Sequence, residues 1–133
     1  MDLLQRLLQT AVQQGASDIH LKAGVAPTLR IARRLSSTDL PPPTDEQMSE
    51  LVQHLLPPDF RERFGQQHEA DFPYTAEGIG RFRVNIFRQR GKLCIAMRHV
   101  KAVIPGFDEL RLPADTLRRI ASAPGGIVLV AGA

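Results

Sequence analysis

Near the start of the chain the apolar residues Leu3, Leu4, Leu7, Leu8, Ala11 and Val12 recur at helical spacing, and Gly15 follows as a stop signal. This predicts an amphipathic first helix. Polar and apolar residues then alternate through Ser17-Asp18-Ile19-His20-Leu21, the pattern of a half-buried strand, before Gly24 and Pro27 punctuate the chain. Thr28-Leu29-Arg30-Ile31 reads as a second strand. Ser36-Ser37-Thr38-Asp39 and the triple Pro41-Pro42-Pro43 form a loop that no helix crosses. At its end Thr44 is a helix N-cap, with Asp45 and Glu46 at the positive end of the dipole and Gln47 completing a capping box. That helix runs to about Leu56. Pro57-Pro58-Asp59 breaks it and restarts a shorter one through Phe64, ended by Gly65.

Ala70-Asp71-Phe72-Pro73-Tyr74 follows as a strand, which Pro73 assigns to a sheet edge or a strand end, and Glu77-Gly78 makes the next turn. The clearest alternation puts Phe82, Val84 and Ile86 on one face and Arg81, Arg83, Asn85 and Phe87 on the other. After Gly91, Leu93, Ile95 and Met97 alternate with Cys94, Ala96 and Arg98, so the two strands make a hairpin. His99 to Gly106 reads as a linker and Pro113 to Ala121 as a short helix. Pro124-Gly125-Gly126 then introduces Ile127-Val128-Leu129-Val130-Ala131, an aliphatic run of the kind found in a strand buried on both faces. The rest of its sheet is expected from sequence beyond this chain.

Composition narrows the class. The 133 residues suit one domain plus a fragment, and 43% hydrophobic against 23% charged residues is a globular balance. No apolar run has the length of a spanning helix, and the start lacks a signal peptide's pattern, so a cytoplasmic protein is expected. Cys94 is the one cysteine and reads as a small buried hydrophobe. Net charge is +3, and 14 of the 17 basic residues are arginines, side chains suited to fork-like pairing with phosphate or carboxylate. Free nucleic-acid binding is not expected, because no basic helix or aromatic stacking strip accompanies them.

Three constellations could carry chemistry. A four-residue turn over Arg88-Gln89-Arg90-Gly91 would set Arg83 opposite Ala96 and Arg81 opposite Arg98, gathering Arg81, Arg83 and Arg98 on the face away from the core. Such a cluster suits an anion or an acidic partner surface; the alternative is arginines splayed into water, and a one-residue slip would dissolve it. Second, a buried strand leading into glycine is how a phosphate-binding loop G-x-x-x-x-G-K-[ST] begins, with Gly132 and Ala133 as its first residues. Third, Asp18 and His20 share a strand face, but no third ligand stands near them and no metal site is expected. Ser17, Ser36, Ser37 and Ser49 lie in no nucleophile-elbow pattern.

Taken in order, the stretches Gly15 to Gly24 with Pro27 and Arg30, Arg81-Phe82-Arg83-Val84-Asn85-Ile86-Phe87, Ala96-Met97-Arg98, Ile104-Pro105 with Leu110 and Leu112-Pro113, and Gly126 to Gly132 resemble the start of a type IV pilus retraction ATPase of the PilT/PilU family. The resemblance implies an α+β fold, with a PAS-like antiparallel or mixed sheet covered by helices on one face over residues 1–100. A linker at 101–112 follows, then the first helix and strand of a RecA-like ATPase domain at 113–133. It also implies ATP with Mg2+ in the full-length parent, bound between the two domains, with Arg83 and Arg98 approaching its phosphates; no cofactor is expected to be held tightly by this chain. The implied partners are ATPase domains of the same and neighbouring subunits of a homo-hexamer and the inner-membrane platform of the pilus, at the cytoplasmic side of the pilus base. The P-loop lysine, the catalytic acid and the histidine box are not in this sequence, so it is not expected to hydrolyse ATP alone. Many relatives carry Asp-Gly after the second strand where this chain has Ala32-Arg33-Arg34-Leu35, so a longer or differently shaped hairpin is expected there. PilT and PilU types are not separated by these residues. The competing reading is a stand-alone PAS-like ligand- or protein-binding module.

Overall fold

A computed structural model describes residues 2–132, which divide into two units, one extending to Ala102 and one beginning at Val103. The first unit starts with helix α1 (Asp2–Gln13), whose Leu4, Leu7, Leu8 and Ala11 are buried. Strands β1 (Asp18–Lys22), β2 (Val25–Ile31) and β3 (Arg34–Ser37) follow, then helices α2 (Asp45–Leu55) and α3 (Pro58–Gln67), and strands β4 (Glu69–Ala76), β5 (Gly80–Gln89) and β6 (Lys92–Val100). The strands form one six-stranded sheet in the order β3-β2-β1-β6-β5-β4, and every pair is antiparallel. The fold is thus α+β, as expected.

The core lies on one side of this sheet. Ile19, Leu21, Leu29, Phe72, Phe82, Val84, Ile86, Ile95 and Met97 turn inward and share one cluster with α1, with Met48, Leu51, Val52 and Leu55 of α2, and with Phe64 of α3. Helix α2 is held at its start by the full capping box: Thr44 Oγ1 accepts from the Gln47 amide at 3.2 Å and Gln47 Oε1 from the Thr44 amide at 2.9 Å. Of the alternate residues of β5 and β6, Arg81, Arg83 and Arg98 are exposed.

Several expectations need correction. The β5–β6 turn has two residues, Arg90 (φ 51°) and Gly91 (φ 78°), and not four, so Arg83 stands opposite Arg98, Arg81 opposite Val100 and Phe87 opposite Cys94. The shift is two residues, which preserves each side chain's face while changing its partner. β2 and β3 are likewise joined by a two-residue turn, Ala32 (φ 46°) and Arg33 (φ 70°), so the hairpin is short and not lengthened. β3 itself occupies part of the stretch expected to be loop. Helix α3 passes through Gly65 and ends at His68, whose left-handed backbone (φ 58°) supplies the cap. Pro73 does lie on the edge strand, β4.

The second unit holds helix α4 (Ala114–Ala121), where Arg118 pairs with Asp115 at 3.1 Å and lies over the Phe107 ring. Residues 127–131 were expected as a buried strand but carry no regular structure; Ile127 and Val130 are 89% and 95% exposed. A strand needs a hydrogen-bonded neighbour as well as apolar residues, and no described residue pairs with this run. No helix among the described residues is long and apolar enough to cross a membrane.

Candidate functional site

The outward face of the sheet is ordered in cross-strand rows by the register. One row runs Arg30 (β2), Asp18 (β1), Arg98 (β6), Arg83 (β5) and Pro73 (β4); the next runs Thr28, His20, Ala96, Asn85 and Asp71. These positions share a face because every second residue of a strand points the same way. At its centre two arginines, Arg98 and Arg83, are direct cross-strand neighbours, an arrangement of like charges that is unfavourable by itself.

Aspartates on the two flanking strands relieve it. Asp71 of β4 takes a fork from Arg83, with Nε 2.9 Å from Oδ1 and Nη2 2.9 Å from Oδ2. Asp18 of β1 accepts from Arg98 Nε at 2.8 Å through Oδ1. Its Oδ2 accepts from the Ser17 hydroxyl at 2.8 Å and lies 3.5 Å from Arg30 Nε. The result is an Asp–Arg–Arg–Asp line across four strands, with Arg30 on the far side of Asp18. The guanidinium groups stay exposed, Arg83 at 68% and Arg98 at 72% of the side chain. Arg83 Nη1 and both Nη atoms of Arg98 make no hydrogen bond among the described residues.

Electrostatics follow from these contacts. Partial burial pushes the Asp18 carboxyl upward, but hydrogen bonds from Arg98 and Ser17 and the charges of Arg98 and Arg30 outweigh it, and the group titrates below its ordinary value. The hydrogen bond from Arg83, with its charge, holds Asp71 low, and Asp71 in turn raises Arg83. Farther along the same face Asn85 donates to Glu69 at 3.0 Å, and Cys94, buried as expected, stands opposite Phe87.

Arg83 and Arg98, singled out in the sequence, are therefore brought together more closely than anticipated, whereas Arg81 sits one row away. Asp18 and His20 do share a face, yet Asp18 serves arginines, and no group of metal-holding side chains occurs among the described residues. Sequence reasoning missed Asp71 and Arg30 as members of the site. The signal for Asp71 was its alternation with Phe72 on an edge strand beside β5. Gly132 lies in the irregular stretch after residue 126, and Ala133 lies outside the described residues.

No family model matches the chain. It is 35% identical over 129 residues to the type IV pilus ATPase PilU of Pseudomonas aeruginosa, covering 97% of this chain and 34% of that protein. To the type IV pilus retraction ATPase PilT of the same organism it is 33% identical over 132 residues, covering 99% and 38%. A crystal structure of the pilus retraction motor PilT with bound ADP superposes with a TM-score of 0.72 at 34% identity, covering 88% of this chain and 33% of that one. The chain thus spans about a third of the length of the relatives it matches.

Proposed function

We propose, from the premise that this chain belongs to the PilT/PilU family of type IV pilus ATPases and matches its N-terminal region, that it is the phosphate-sensing and assembly domain of a hexameric motor ATPase driving pilus retraction. In this reading residues 1–100 are the PAS-like domain, 101–112 the linker and 113–133 the first part of the ATPase domain. Arg83 and Arg98 contact the phosphates of ATP held between domains. The sheet packs on ATPase domains of its own and neighbouring subunits, at the cytoplasmic side of the inner membrane where the pilus platform sits.

One observation carries the reading: two directly opposed arginines, each tied to a flanking aspartate, keep unbonded guanidinium N–H groups on an exposed sheet face. Guanidinium forks match phosphate oxygens in geometry and charge, and the N–H groups not spent on the aspartates are donors a phosphate can take. These residues fit the phosphates of ATP. The carboxylates beside them do not offer Mg2+ a free ligand, because Asp71 is forked by Arg83 and Asp18 is held by Arg98 and Ser17, so the metal is assigned to the rest of the parent protein.

The test is ATP turnover by the full-length hexameric parent. Arg83→Ala and Arg98→Ala should each lower kcat/KM by roughly 10- to 100-fold, with lysine rescuing poorly because a point charge cannot reproduce the fork. Arg61→Ala, on the exposed side of α3 and away from this face, should leave turnover unchanged. Parental activity in both hairpin variants would remove the phosphate-sensing role, leaving a packing or stand-alone binding module.

A further inference from the structure

The two arginines are not held alike. Asp71, the partner of Arg83, is 43% exposed and no other described side chain bonds it, so its geometry depends on Arg83 itself. Asp18, the partner of Arg98, is only 13% exposed and is fixed by groups other than Arg98. Ser17 Oγ donates to its Oδ2, and Ser17 is clamped on both backbone sides, its amide donating to the Arg30 carbonyl at 2.8 Å and its carbonyl accepting from the His99 amide at 3.0 Å. Arg30 supplies a second cation at 3.5 Å. The carboxylate would therefore stay charged and in place if Arg98 leaned toward another anion.

The mode of contact differs too. Arg83 spends Nε and Nη2 on both oxygens of Asp71, a fork that a phosphate would compete with. Arg98 spends only Nε on Asp18, which fixes the guanidinium plane while leaving both Nη groups available. A donor pre-aimed in this way loses little conformational freedom on binding.

We infer that Asp18, locked by Ser17 and Arg30, is a positioning residue that aims Arg98 at the nucleotide phosphates, whereas Asp71 restrains Arg83 and yields it when phosphate binds. The inference rests on the phosphate-sensing reading above and assigns the two aspartates opposite effects. Asp18→Asn should lower the kcat/KM for ATP of the full-length parent by about 10-fold, comparable to losing one charge-assisted hydrogen bond. Asp71→Asn should raise it, because Arg83 then meets phosphate without first leaving a charged fork.

A double-mutant cycle separates positioning from general damage. In an Arg98→Ala background Asp18→Asn should cost less than about twofold, and Asp18→Glu should recover part of the loss seen with Asn. Equal loss from Asp18→Asn with and without Arg98 would overturn the positioning role while sparing the phosphate reading. Parental kcat/KM in Arg98→Ala alone would remove Arg98 from the phosphate reading and the inference with it, and parental kcat/KM in Arg83→Ala as well would remove that reading entirely. An unchanged or lower kcat/KM in Asp71→Asn would contradict the opposed roles. If Asp18→Asn fails to fold, Ser17→Ala carries the same cycle: a loss of about threefold that vanishes without Arg98 supports the assignment, and one that persists overturns it.

Discussion

Replacing Ala32 by Asn and Arg33 by Gly should stabilise the chain. Two-residue hairpin loops of this kind need positive φ at both central positions, and Asn-Gly meets that need with least strain. Here Ala32 and Arg33 adopt φ of 46° and 70° although both carry a Cβ. A left-handed L-residue costs roughly 1–2 kcal/mol, and Asn tolerates the region better than Ala. Relief of about 1 kcal/mol at each position, less about 0.5–1 kcal/mol for the added freedom of glycine in the unfolded chain, leaves a net gain near 1 kcal/mol. For a chain of this size the melting temperature should rise by about 3–5 °C. The turn also bears on the site, because it sets Arg30 opposite Leu35, and Arg30 Nη1 reaches the Arg33 carbonyl at 3.5 Å. Thermal unfolding followed by circular dichroism, with the urea midpoint as a second readout, measures the effect. Ala32→Val, a β-branched residue at positive φ, should move both readouts the other way. An unchanged or lower melting temperature in the Asn-Gly variant would refute the turn assignment and, with it, the β2–β3 register that sets Arg30 opposite Leu35.

Thr44→Ala removes the hydroxyl that caps α2 and should cost about 1 kcal/mol, read as a lower urea midpoint with unchanged m. Asp18 and Asp71 titrate below the ordinary aspartate value in the folded chain, so their contribution is complete above about pH 4 and is lost as pH falls through their folded values. Carboxyl carbon shifts followed by NMR should show both groups protonating late, and Asp71→Asn should flatten the acid limb of the stability profile; ordinary titration of both carboxyls would contradict the ion pairs.

The face assignments were legible because a period of two is a strong signal in β5 and β6, where Phe82, Val84, Ile86, Ile95 and Met97 are all buried. Partners were not, because register depends on turn length, and Arg90-Gly91 does not advertise a two-residue turn as Asn-Gly would. β3 escaped notice since all four of its residues are exposed and it has no alternation to read. Asp71 could be joined to Arg83 only once the β4–β5 register was known, for the contact is diagonal: Arg83 stands opposite Pro73, two residues along from Asp71. Residues 127–131 show that an apolar run marks a candidate strand but forms one only beside a hydrogen-bonded neighbour, which the described residues do not supply.

The most direct test of the central claim is a crystal structure of the full-length parent with a non-hydrolysable ATP analogue. Guanidinium nitrogens of Arg98, and of Arg83 after its fork with Asp71 opens, should lie about 2.7–2.9 Å from phosphate oxygens, with Asp18 still on Arg98 Nε. A filled nucleotide site with both arginines unchanged on Asp71 and Asp18, and no phosphate oxygen within hydrogen-bond reach of either, would contradict it.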